Sequence, residues 1–346
     1  MKNNNKSMIP RFNVVLVAGL LNISFFTTVQ ADSSLPGQGI KITPVFANVA
    51  EERFRGEIAI AGLKALGYDV QEPKETEYAS ILDTLAQGKA DFTVHMWDKL
   101  HQAYYDKAGG DTELIKVGTV IPGVLQGYLI DKKTAEQYNI HYLTDLKKPE
   151  LAMLFDSDGD GKADLTGCDT GWGCQLVIDH QIKAYGLEET VTHHKGPYFD
   201  LMAKAIERYK EGKPVLYYTW IPQWISGVLV EGKDVEWLQV PYVSLPDGKN
   251  NVDTTFQGKN LGFPVDQIRA VMNKSFAKKN IAASSFLSYY LISANDESAE
   301  NLKMRNGENT DADIKRHASE WISVHQDQFD KWVQKAREDA ALLTPQ

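Results

Sequence analysis

Polar and apolar positions along this chain repeat with two different periods, and each change of period predicts a new element. "GIKITPVFA" (39–47) is a short apolar run with the length of a strand. "EERFRGEIAIAGLKALGYDV" follows, with apolar Ile58, Ala61, Leu63 and Leu66 on a helical pattern and Gly67 as its stop. "EYASILDTLAQGK" (77–89) is helical in character and lies between the strand-like "YDVQEPKE" and "ADFTVHMW". Strands alternating with helices in this way predict an α/β architecture with largely parallel sheets.

Two later apolar stretches, "QGYLID" (126–131) and "NLGFPVDQIRAVMN" (260–273), mark places where the chain would pass between lobes. The block between them has its own strand–helix alternation, and everything after them is helical through "FDKWVQKAREDAALL". The expectation is one lobe from 32–128 and 263–346 and a second from 129–262.

The N-terminus bounds the compartment. Lys2, Lys6 and Arg11 precede an apolar run from Phe12 to Phe26, which ends near the small-residue site Val29-Gln30-Ala31. This predicts a cleaved export signal over residues 1–31, with the mature chain starting near Asp32. Asn22 and Ser24 interrupt the run, and it is short for a membrane span. No cysteine stands at the cleavage site to carry a lipid. Loss of the signal takes the formal charge from −9 to −12, which argues against nucleic acid and anionic membranes as partners.

Both cysteines fall in one short stretch, "TGCDTGWGCQ" (166–175). Export favours a Cys168–Cys174 disulfide, yet closing so small a loop contributes only about 2 kcal/mol. The bridge therefore reads as a device that shapes the loop, with an ordinary surface disulfide as the alternative. The spacing is not C-x-x-C, so redox and zinc readings are poor.

Three tryptophans share a setting. Trp97 ends "ADFTVHMW", Trp172 sits inside the cysteine loop before "QLVIDHQIKAYG", and Trp220 ends "PVLYYTW". In open α/β sheets ligands bind beyond the carboxyl ends of strands. A quaternary ammonium has no N–H to donate, so indole faces recognise it through apolar contact with the methyls and the ring quadrupole. Gly173 and Cys174 start a predicted helix, where free N–H groups favour a carboxylate. His101, four residues after Trp97 on a helix that Asp98 would cap, can donate from its ring. A methylated zwitterion matches both halves. Trp224, Trp237, Trp321 and Trp332 lie within elements and are assigned to packing.

"GCDTGWGC", "VHMWDKLH", "KPVLYYTWIPQW" and "LFDSDGDGKADLTGC" resemble the ProX-type periplasmic glycine betaine/proline betaine-binding proteins, at matching spacings over essentially the whole chain after the signal. The resemblance implies a two-lobed type II periplasmic-binding-protein fold with ligand in the inter-lobe cleft. It implies a monomer without cofactor, metal or enzymatic activity. Such a protein delivers glycine betaine, proline betaine or a related zwitterion to the permease and ATPase of an ABC importer in osmoprotection. The family's aromatic box falls on Trp97, Trp172 and Trp220, and its carboxylate contacts on His101 and the backbone of Gly173 and Cys174. Asp98-Lys99 stands where the family pattern has Thr-Pro, and Asp169-Thr170 where it has Asn-Pro.

Other motifs compete. "DSDGDGKAD" (156–164) has carboxylates at the first, third, fifth and ninth positions of a calcium loop, but its twelfth position is Gly167, so an Asx-rich turn is the preferred reading. His95 and His101, and the adjacent His193-His194, match no catalytic metal spacing. No G-x-S-x-G elbow or phosphate-binding loop occurs. Rival functions are a binder of choline, carnitine or taurine, a secreted hydrolase supported by calcium, and an extracellular interaction module.

Overall fold

One strand, Leu114–Asp131, organises the sheet. Over its first part it pairs antiparallel with Asp266–Asn273, from Leu114 opposite Asn273 to Val124 opposite Asp266. From Leu125 onward it pairs antiparallel with Leu216–Ile221 instead, and its other edge takes Val235–Leu238. The strand thus belongs to two sets of partners, and the changeover lies between Val124 and Leu125. Phe92–Trp97 extends the first set beyond Asp266–Asn273. Ala163–Thr166 and Val191–His194 extend the second beyond Leu216–Ile221. This is a computed structural model, and it describes residues 35–343 and the first two residues. The expected export signal otherwise lies outside the described residues.

"FTVHMW" and "LYYTWI" form strands because both faces of each are covered, so continuous β-branched and aromatic runs are stable there. The sheet departs from the largely parallel expectation. Only Ala163–Thr166 pairs parallel with its neighbours in the central sheet, and the pairings around the long strand are antiparallel. A buried strand has the same apolar signature whichever way it runs, so periodicity carries no direction. Two predicted strands are also divided. "GIKITPVFA" becomes Lys41–Ile42 and Val45–Ala47 on either side of Pro44, and "YDVQEPKE" becomes Asp69–Val70 and Lys74–Thr76 around Pro73. Proline lacks the ladder N–H, and the four pieces pair parallel, two by two.

Arg53–Ala65 is buried along most of its length. A side chain at Gly62 would collide with the Phe286 ring, so glycine is what lets Ile281–Tyr289 pack this closely. The end of the chain is helical as expected, in five helices from Lys274 to Leu343. Among the described residues no helix is long and apolar enough to cross a membrane.

Candidate functional site

Where the long strand changes partners, Trp97 stands opposite Ile268 and Trp220 opposite Gln126. Trp97, Trp172 and Trp220 line one cavity, together with His101, Gly173 and Cys174. The enclosed space is about 20 Å³, room for roughly one water. Wider recesses lie elsewhere, one of about 830 Å³ beside Lys132, Lys210 and Lys213. It has no indole, and its lining is largely charged and exposed.

Trp172 and Trp220 are held by each other and by tyrosines. The Trp172 and Trp220 rings meet edge to face, 5.5 Å between centroids. Tyr198 lies 4.7 Å from Trp220 and 6.0 Å from Trp172. Tyr78 meets Trp172 at 6.1 Å and right angles. Such contacts fix ring planes.

His101 is oriented from behind. Its Nδ1 accepts the Trp97 N–H at 3.3 Å, which assigns the proton to Nε2 and makes that atom a donor. Burial draws its pKa down to about 4, with the charge of Glu52 opposing the shift and that of Arg55 adding to it. The ring is therefore neutral at physiological pH. The turn that carries it depends on Asp266, whose buried carboxylate accepts the N–H groups of Lys99 and Leu100, each at 3.0 Å.

That turn corrects one expectation. Asp98 does not cap a helix: the helix is Gln102–Lys107 and His101 occupies its N-cap position. Asp266 already satisfies the donors of the turn. The Asp98 carboxylate instead faces Lys116 and the Gln267 amide.

The cysteine loop supplies the other donors. Cys168 and Cys174 are joined by a disulfide. The Cys168 N–H donates to His193 Nε2 at 3.1 Å, and Asp179 holds the far side of that ring at 2.7 Å. The helix Gly173–Ala184 has Trp172 at its N-cap, with no side-chain cap. A serine or aspartate there would accept an N–H of the first turn, whereas an indole has no acceptor. Among the described residues, neither the Gly173 nor the Cys174 N–H donates to a protein atom. The two glycines beside Trp172 serve different ends. Gly171 has φ +90° with open space around it, while a Cβ on Gly173 would press into Leu100 at 2.9 Å and His101 at 3.4 Å.

Five further residues line the cavity without having been singled out from sequence: Glu52, Tyr78, Leu100, Gln126 and Tyr218. Tyr218 was legible, because it shares a strand face with Trp220 two residues on. Glu52 belongs to a buried ion cluster, with Arg55 bonded to it at 2.6 Å and to Glu297 on its other side. Burial works against a charge on Glu52, but Arg55 and His95 hold its carboxyl below the usual range.

The tryptophans assigned to packing stay outside the cavity lining, and Trp224 lies over Phe199 at 6.2 Å. His95 is buried, stacked on Phe46 at 4.6 Å. In the aspartate loop, Asp156, Asp158 and Asp160 bring carboxylate oxygens within 4.8 Å of one another. Asp158, Asp164 and His194 form a second such group, in which Asp164 meets His194 at 2.6 Å and accepts the Ser157 N–H.

A family model described as the substrate binding domain of ABC-type glycine betaine transport systems matches residues 40–324. The chain belongs to this family. It is 47% identical over 326 residues to the glycine betaine-binding periplasmic protein OusX of Dickeya dadantii, covering 94% of this chain and 98% of that protein. It is 46% identical over 327 residues to the glycine betaine/proline betaine-binding periplasmic protein of Escherichia coli K12, again over 94% and 98%. Among solved structures, the glycine/betaine/L-proline-binding protein ProX of Borrelia burgdorferi matches with a TM-score of 0.66 at 18% identity, over 87% of this chain and 99% of that one. The architecture is the type II periplasmic-binding-protein fold, and the chain is a binding protein of transport systems rather than an enzyme.

Proposed function

We infer that this protein is the periplasmic solute-binding component of an ABC importer and captures glycine betaine, proline betaine or a closely related methylated zwitterion. Trp97, Trp172 and Trp220 receive the quaternary ammonium. His101 Nε2 and the N–H groups of Gly173 and Cys174 receive the carboxylate. The observation that carries this reading is one cavity combining three indoles with donors that have no protein acceptor. The names of the relatives at 46–47% identity point to the same ligand class.

Capture involves no covalent chemistry. The lobes are 32–128 with 263–346, and 129–262, a boundary four residues past the changeover in the long strand between Val124 and Leu125, and one lobe swings against the other near this point. Trp97 and His101 belong to the first lobe, Trp172, Gly173, Cys174 and Trp220 to the second. Ligand in the cleft favours the closed arrangement by its greater affinity for it. A membrane permease with its ATPase then receives the loaded monomer, which is exported with loss of residues 1–31.

Titrating the purified protein with glycine betaine, choline and glycine, and following tryptophan fluorescence and heat, tests this. The expected result is saturable binding of betaine, weaker binding of choline, and none of glycine. Binding of glycine, or heat and fluorescence both silent toward betaine, would refute the ligand class.

A further inference from the structure

We propose that Gln126 is a specificity-determining residue of this site, its side-chain NH2 being a further donor to the ligand's carboxylate from the floor of the cavity. The proposal rests on the betaine reading above.

Gln126 is 1% exposed, and it lines the cavity together with the three indoles. Its Oε1 accepts the Tyr218 hydroxyl at 2.7 Å. Its Nε2 is buried and, among the described residues, has no hydrogen-bond partner. A buried donor left unpaired is costly, and one that faces a binding cavity becomes paired when an acceptor enters. Across the strand pair Gln126 stands opposite Trp220, whose indole has no acceptor to offer. Of the two ends of a betaine, only the carboxylate can accept this N–H, because the methylated nitrogen has no lone pair to offer.

The position adds a second consequence. Gln126 is two residues past the changeover in the long strand, the element that both sets of strands share. Its donor is therefore carried together with Trp220, its partner across the strand pair, while Trp97 approaches from the other set of strands. The orientation of the amide comes from Tyr218, fixed in turn by Phe263 and Trp220 at 5.4 and 6.2 Å.

The test uses the full mature protein, with affinities for glycine betaine and choline measured by calorimetry and folding checked by thermal melting. Gln126→Met keeps the volume and removes the donor. It should weaken betaine about tenfold or more, the range for a hydrogen bond to a charged group, and leave choline within about twofold. Gln126→Asn, which withdraws the amide by one methylene, should shift betaine in the same direction if the methionine variant folds poorly. Unchanged betaine affinity in both variants would overturn the proposal. An equal loss for both ligands would also overturn it, placing the amide against the methyl groups or in a purely structural role. Failure of the unaltered protein to bind betaine would instead remove the reading of the site, and this inference with it.

Discussion

Two glycine-rich loops flank the same strand, Ala163–Thr166, and they differ in the backbone donors they leave open. In the aspartate loop before it, the N–H groups of Gly159 and Gly161 are accepted by Asp156, that of Asp160 by Asp158, and that of Lys162 by Asp160. The loop closes on itself. These bonds hold the Asp156 carboxyl below its ordinary range. In the cysteine loop after the strand, Asp169 and Gln175 accept the N–H groups of Thr170 and Gly171, but Trp172 cannot accept, and among the described residues the N–H groups of Gly173 and Cys174 have no protein partner. The difference is one of side-chain chemistry at a few positions. Carboxylates within a loop complete it, while an indole at a helix start leaves it ready for an anion from outside.

The largest way to break this comparison is Trp172→Ala. A desolvated cation–π contact together with lost apolar contact amounts to about 3 kcal/mol, or about a hundredfold in betaine affinity. Calorimetry reads this without depending on the indole signal. Asp160→Asn in the other loop should leave betaine affinity within about twofold, as expected for an exposed site away from the ligand. If Asp160→Asn weakened betaine as much as Trp172→Ala, the two loops would not differ as described.

The smallest effect is a flat line. Burial keeps His101 neutral, with a pKa near 4 rather than the ordinary value of 6.5. Because the folded value lies below the ordinary one, no proton is taken up as the pH falls through 6.5. Betaine affinity measured from about pH 8 to about pH 6 should show no step at the ordinary histidine midpoint. A step there would mean that His101 titrates in contact with solvent and is not the buried donor described.

Much of this was legible in the sequence. The junction positions of Trp97, Trp172 and Trp220 followed from where apolar runs met helical ones, and the export-compatible cysteine pair pointed to the disulfide now seen. Strand direction was not legible, because a buried run such as "LYYTWI" looks the same in either sense. Asp98 after a strand carries a helix-cap signature, but the carboxylate that claims the turn, Asp266, is 168 residues further on. Gln126 was hidden for a related reason. A single glutamine in an apolar strand has no local pattern, and its meaning comes from Tyr218 and from the cavity. Contacts between residues distant in sequence decided each of these.

The central claim is that Gly173 and Cys174 hold their N–H groups ready for a ligand carboxylate. The most direct measurement is the pair of backbone amide resonances of these residues in proton–nitrogen correlation spectra, recorded with saturating glycine betaine and with saturating choline. The account predicts that both amide protons move downfield with betaine, as hydrogen bonds to an anion form, and that choline moves them little. Equal movement with the two ligands, or no movement with betaine while it is bound, would contradict the account.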